Sequence, residues 1–217
     1  MAVFTVLVTV GAALSLKVSA SNTSNFTQTI NTGTLSVDIV DAAYSSVASP
    51  TVAMGAVDFN FSCQTSTGTF GTATEQIYIV NPDAADNGWT VSLAGSATTA
   101  LWDSAGTDYD FNDPTGSGCT DGADTDSFGG QMTVDASGAT LSVGNCSSCG
   151  TGNISLGTSS AFSEGVTDSI TIATAAAASD DVGDWTIQGI SISQEIPAEQ
   201  PAASDYDIDM VLSIVAN

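Results

Sequence analysis

Positive charge is nearly absent from this 217-residue sequence: Lys17 is its one Lys or Arg, it has no His, and 24 Asp and Glu bring the net charge to −23. Nucleic acid is excluded as a partner, because neutralising phosphates takes many cationic contacts. The same lack argues against an enzyme acting on phosphates or other anionic substrates. Without His, Ser-His-Asp chemistry is excluded and a Cys nucleophile has no imidazole base, so no enzyme is expected. Zinc would need four thiolates, and the four cysteines contain only one C-x-x-C, Cys146 to Cys149. Amphipathic helical periodicity is missing, no repeat of fixed period is present, and no apolar run reaches the ~20 residues of a membrane-spanning helix.

Among the acids that are present, 20 of 24 are Asp. Asp, Asn, Ser, Thr and Gly fill turns and strand ends, whereas Glu and Lys fill helix surfaces, so the balance points to an all-β fold. An acidic surface that keeps a protein soluble in a saline habitat is an alternative cause of the charge. The length suits a single domain.

Cys63, Cys119, Cys146 and Cys149 form an even set, for which three connectivities exist. A redox C-x-x-C sits at a helix start in a βαβ unit, and nothing helical follows this one. Disulfides in an oxidising, extracellular setting are the expectation, with Cys119 joined to Cys146 or Cys149 so that the bridge pins the Asp-rich stretch to the next hairpin.

Residues 1–20 are a hydrophobic N-terminal segment and 21–217 a β-sandwich domain. The run from 2 to 14 has the length of a signal-peptide core, with Val18-Ser19-Ala20 suited to cleavage before Ser21, although a basic start is missing. Its content of Val3, Phe4, Val6, Val8 and Val10 equally fits a strand kept in the mature protein and covered by a neighbouring subunit. A pilin-type helix is the third reading.

Period-2 alternation marks the strands: Leu35, Val37 and Ile39; Val57, Phe59 and Phe61; Trp89, Val91 and Leu93; and Tyr206, Ile208, Met210, Leu212 and Ile214 opposed by Asp205, Asp207 and Asp209. Ile77 to Val80 is a short buried run. Gly68 to Gly71 reads as a turn, and Asn87-Gly88 as a hairpin turn. Residues 129–134 and 139–143 read as a hairpin, 153–156 and 170–172 as strands, Ala175 to Ala178 as one helical turn, and 185–192 as one strand with a bulge at Gly189. About eight to ten strands imply a single β-sandwich, jelly-roll-like.

Phe26 to Val37, with Gly33-Thr34-Leu35 opening the first core strand, resembles the start of mature TasA/camelysin-like surface fibre proteins. Ile77-Tyr78-Ile79-Val80-Asn81 before Gly88-Trp89-Thr90-Val91-Ser92-Leu93 is similar to the strand, turn and strand of such sandwiches and of WxL-like surface domains. Ile196-Pro197-Ala198 and the stretch from Tyr206 to Ile214 are similar to the ends of secreted surface sandwiches. The resemblance implies a homopolymer of identical subunits in an extracellular filament or surface layer. Each subunit lends an N-terminal strand to the next, and Phe26 and Ile30 are the apolar residues that remain for this after cleavage at Ser21.

The chemistry concentrates between Asp103 and Asp126. Asp103, Asp108, Asp110, Asp113, Asp121, Asp124 and Asp126 fall there with Asn112. Two carboxylates ~5 Å apart repel by roughly 3 kcal/mol at an effective dielectric of ~20, so seven of them either splay into solvent or gather round a cation. Asp108-Tyr109-Asp110-Phe111-Asn112 has the D-x-D-x-N spacing of a calcium loop, yet the sixth and twelfth positions hold Asp113 and Cys119 rather than Gly and Glu. A calcium site outside the EF-hand pattern, drawn from Asp108, Asp110, Asn112, Asp113, Asp121, Asp124 and Asp126, is the expectation. Paired carboxylates beside Trp102, Tyr109, Phe111 and Phe128 also fit a glycosidase, or an adhesin that binds glycans or other cells through this loop. Asn22, Asn25, Asn60, Asn145 and Asn153 each begin an N-x-[ST] glycosylation triplet.

Overall fold

Alternating apolar and polar residues put every second side chain on one face of an extended chain, and burying that face requires a second layer. A computed structural model describes residues 27–31, 33–82, 87–114, 119–122, 124, 126–178 and 182–217. Two units divide at Asn31, and the architecture here is that of the second, residues 32–217. The expectations for Val3, Phe4, Val6, Val8, Val10, Asn22, Asn25 and Phe26 lie outside the described residues.

The fold is all-β. Its strands are β1 (Ser36–Val40), β2 (Gln64–Phe70), β3 (Gln76–Asn81), β4 (Trp89–Gly95), β5 (Leu101–Trp102), β6 (Tyr109–Asp110), β7 (Gln131–Asp135), β8 (Thr140–Val143), β9 (Ile154–Leu156), β10 (Ser160–Ala161), β11 (Ser169–Ala175), β12 (Gly183–Gln188), β13 (Ile190–Ile196) and β14 (Met210–Ala216). Among the described residues there are fourteen strands against the eight to ten expected, and three of them, β5, β6 and β10, have two residues each. Antiparallel pairing arranges them as β1-β3-β12-β8, β10-β7-β13-β2 and β14-β4-β11-β9, with the ribbon β5-β6, in the packed layers of a β-sandwich. Among the described residues no helix is long and apolar enough to cross a membrane.

Ile77, Ile79, Trp89, Val91, Ile172, Trp185, Ile187 and Ile190 are wholly buried between the layers. The rings of Trp89 and Trp185 meet at 5.8 Å. Each such side chain contributes on the order of 1.5–3 kcal/mol, which outweighs the turn-rich composition of the rest.

Several local expectations are corrected. Residues 57–61 do not form a strand. Phe59 and Phe61 stand 50% and 76% exposed, edge to face at 5.3 Å. Gly68 lies inside β2 rather than in a turn, where a Cβ would meet the Met54 sulfur at 2.6 Å. The expected hairpins at Asn87-Gly88 and at 136–138 are crossings instead: β3 and β4 belong to different sheets, as do β7 and β8. Gly189, at φ 83°, splits the expected single strand into β12 and β13, again in two sheets. Turn chemistry is satisfied equally by a hairpin and by an arch between layers, and the buried faces choose the arch. Ala175 ends β11, so no helical turn forms there.

Gln194 in β13 is wholly buried and ties the ribbon to the core. Its Oε1 accepts the Trp102 indole N–H at 2.9 Å, and its Nε2 donates to the carbonyls of Asp110 at 3.0 Å and Glu195 at 2.8 Å. Gln194→Leu leaves these groups unsatisfied in the interior and is expected to cost about 3 kcal/mol in urea unfolding, since each orphaned group costs roughly 1–3 kcal/mol. A loss too small to resolve would show that the amide is not their anchor.

Candidate functional site

The ribbon β5-β6 presents the centre of the Asp-rich stretch to the core. Trp102 stacks on Tyr109 at 5.8 Å and 10°, and Tyr206 meets Tyr109 edge-on at 5.0 Å. Burial pushes the Tyr109 hydroxyl up, helped by Tyr206. Phe111 packs on Phe162 at 5.1 Å. Between these aromatic anchors Asp110 is drawn inward and is only 1% exposed.

The returning chain fixes it there. Asp110 N–H donates to the Gly129 carbonyl at 2.9 Å, Asp113 N–H to the Gly130 carbonyl at 3.0 Å, and Met132 N–H to the Phe111 carbonyl at 2.6 Å. Gly130 adopts φ 141°, and a Cβ there would fall 1.9 Å from the Asp110 carbonyl oxygen, so only glycine permits this approach. Just upstream, Asp124 Oδ1 accepts Asp126 N–H at 3.3 Å and Asp126 Oδ1 accepts Phe128 N–H at 2.8 Å. These turns bring oxygens of Asp124 and Asp126 to Asp110, and the three carboxylates each place one within 4.8 Å of the others.

Asp110 Oδ1 accepts the Phe111 N–H at 2.6 Å. Its Oδ2 is buried and has no hydrogen-bond partner among the described residues, and the same holds for Asp124 Oδ2. Burial raises the Asp110 carboxyl to about 7, against the pull of the Asn112 and Phe111 amides and with added repulsion from Asp126 and Asp124. Asp124 is raised first by burial and then by the Asp126 charge, with smaller effects from Asp113 and Glu164.

The seven expected metal ligands therefore divide. Asp110, Asp124 and Asp126 converge. Asp113 is buried nearby and Asp121 is exposed. Asn112 is turned away, its Nδ2 donating to the Thr98 carbonyl at 2.8 Å. Asp108 accepts Ser104 N–H at 3.2 Å and belongs to a rim group, where its charge is the largest cause raising the exposed Asp103, ahead of Asp207 and Asp205.

The cysteine pairing is also corrected: the bridges are Cys63–Cys119 and Cys146–Cys149. Cys63 immediately precedes β2, whose first residue, Gln64, pairs with Ile196 at the end of β13, and Gly129 packs against Thr120 and against Pro197 at that same end. The Asp-rich loop thus reaches the β2–β13 edge rather than the hairpin after it. Cys146–Cys149 closes on itself over Asp184, a residue the sequence did not single out. The Asp184 carboxylate accepts Asn145 N–H at 2.6 Å, Cys146 N–H at 2.7 Å and the Tyr78 hydroxyl at 2.6 Å. Burial, then this bond, raises the Tyr78 hydroxyl. Among the triplet asparagines, Asn60, Asn145 and Asn153 are exposed.

A second feature is a cavity of about 440 Å³ lined by Ile39, Val52, Phe70, Leu93, Met210 and Leu212. It opens where β1, β2 and β14, each the edge strand of its own sheet, come together. No protein-family model matches the chain, and neither a curated protein nor a solved structure matches it.

Asp110 has a definite linkage sign. Between its ordinary value of 3.8 and about 7 the folded state holds a proton that the unfolded state has released. In the presence of a chelator, this group's contribution to stability is therefore full below pH ~4 and is lost as pH rises toward ~7. Denaturant unfolding across that range should show the decline, and Asp110→Asn should flatten it; an identical slope in the variant would remove Asp110 as its source.

Proposed function

We propose that this protein is a structural subunit of an extracellular filament or surface layer, assembling head to tail as each copy places its N-terminal segment in the groove of the next. The observation that carries the reading is the groove at the junction of three edge strands, lined mostly by apolar side chains together with Glu75, Asp207 and Asp209. Edge strands expose unpaired backbone groups, and apolar pockets between them suit the alternating side chains of an added strand. A head-to-tail contact of this kind does not close on itself, so polymers follow.

Charge supports the same assignment. Residues 1–37 contain no acid and one Lys, for a net +1, while residues 38–217 hold all 24 acids, for −24, together giving −23. A contact between two acidic bodies is repulsive, and the acid-free segment is the part of the chain that approaches such a body without that penalty. Val3, Phe4, Val6, Val8 and Val10 supply the apolar row if the first twenty residues are kept; Phe26 and Ile30 supply it if they are removed, and Ile30 is 86% exposed. The two disulfides suit an oxidising compartment.

A second reading, a glycan-binding surface module, is favoured by a 430 Å³ cavity beside Phe59, Trp102, Tyr109 and Tyr206, with the amides of Asn60 and Gln200 at its wall. Electron microscopy separates the two. Purified native protein is expected to show fibres or lattices, and the chain lacking residues 1–31 to remain monomeric with an unchanged β-type circular dichroism spectrum. Polymers formed equally well by the truncated chain would refute strand donation, and dispersed native monomers that bind a glycan array would favour the second reading.

A further inference from the structure

We infer that Asp110, Asp124 and Asp126 hold one Ca²⁺ ion, which locks the loop carrying Asp124 and Asp126 onto the ribbon β5-β6. The inference goes beyond the assembly reading and does not depend on it.

An acidic cluster alone would not carry this, since exposed carboxylates are stable in water. The difference lies in Asp110: the residue is 1% exposed, its Oδ2 is buried with no hydrogen-bond partner among the described residues, and it offers a carboxylate oxygen to the cluster. A buried carboxylate oxygen without a partner costs several kcal/mol of lost hydration, and such groups are paired or coordinate metals. Among the described residues there is no basic side chain to pair with it, and the sequence holds just one, Lys17. Asp124 Oδ2 is in the same position.

The donor set selects the ion. All three ligands are carboxylate oxygens, His is absent, and the four cysteine sulfurs are tied in disulfides. Hard oxygen donors suit Ca²⁺ or Mg²⁺ rather than zinc or copper. Oxygens up to 4.8 Å apart are bridged by Ca²⁺, whose ~2.4 Å bonds reach across about 5 Å, whereas the ~2.1 Å bonds of Mg²⁺ reach across only about 4 Å. The hydrogen bonds already made fall on Oδ1 of Asp110, Asp124 and Asp126, each accepting a backbone N–H, and Oδ2 of Asp110 and of Asp124 is without a partner among the described residues. The other two acid-containing groups with metal-like spacing, Cys63-Cys119-Glu195 and Cys146-Cys149-Asp184, are accounted for by their disulfides.

Isothermal titration of the full chain with CaCl₂ after chelator treatment tests the site. One equivalent of Ca²⁺ is expected to bind with Kd in the range of roughly 10⁻⁴–10⁻³ M typical of extracellular modules, with weaker binding of MgCl₂. Asp110→Asn and Asp124→Asn should each weaken binding by about tenfold or more, as losses around metal ligands do. Asp121→Asn and Asp135→Asn should leave it unchanged. Thermal melts give a second readout that an ordinary buried acid would not produce: Asp110→Asn should melt above the wild type in chelator and below it in millimolar calcium. No binding by the wild type, or binding undiminished in both Asp110→Asn and Asp124→Asn, overturns the assignment.

Discussion

Twenty-four carboxylates and a single ammonium group leave this protein without the ion pairs that ordinarily fix acidic side chains, and the backbone takes their place. Asp41 accepts the N–H groups of Ala43 and Ser45, Asp135 that of Ser137, and Asp168 that of Gly165. Hydrogen bonds to an ionised acceptor are about twice as strong as neutral ones, and the lowered pKa of Asp135 has this origin, from the Ser137 hydroxyl first and then the Ser137 amide. Each such bond needs a short carboxylate beside a turning backbone, which is why the acids are Asp and why they accompany strand ends. Acid content and β-architecture are one choice in this chain.

Asp184 and Asp110 show the two limits of that solution. Three donors converge on Asp184, and the Cys146–Cys149 bridge keeps two of them in place. Closing so small a loop restricts the unfolded chain by only about 2 kcal/mol in the chain-entropy account, so its main effect is local, holding the Cys146 amide against the carboxylate. Cys63–Cys119, with a sequence separation of 56, is worth about 4 kcal/mol on the same account and attaches the Asp-rich loop to the edge of a sheet. Asp110 sits near that loop with only the amides of Asn112 and Phe111 to offset its burial. Its aromatic neighbours, Tyr109 and Phe111, are the reason it is buried, because anchoring both in the core carries the residue between them inside.

The strands were legible where alternation was strong. β4 and β14 follow their apolar residues, with Trp89, Val91 and Leu93 buried in one and Met210, Leu212 and Ile214 half-buried in the other. β2 was not legible: Gln64 to Phe70 is Thr-, Ser- and Gly-rich, and it is a strand because β13 pairs with it along its whole length. Phe59 and Phe61 carried the right periodicity, yet the adjoining stretch meets the β2 edge in the described ladder through little more than Gly55 N–H donating to Thr67. Local periodicity records which residues want burial, and it does not record whether a partner strand is within reach. The same limit explains the cysteines, since the distance from Cys63 to Cys119 is set by the β2–β13 pairing. Within the Asp-rich stretch, D-x-D-x-N spacing singled out Asp110, which the structure buries beside Asp124 and Asp126. It gave no means of telling that Asn112 would bond to Thr98 or that Asp108 would face Asp103 instead.

Edge strands and charge together define how copies of this chain can meet. Physiological salt screens charges beyond about 8 Å, so distant acids on neighbouring bodies are indifferent to one another, while those flanking an inserted strand are not. In the proposed assembly a strand without acids would lower that repulsion where it is largest, and a divalent ion at Asp110, as inferred above, would lower the charge of each body from within. The exposed row of Val57, Phe59 and Phe61 lies beside the same β2 edge that borders the groove. In the assembly proposed above, such a face of edge backbone and apolar side chains without a basic residue suits a partner strand that brings no acid, and the acid-free part of this sequence is residues 1–37.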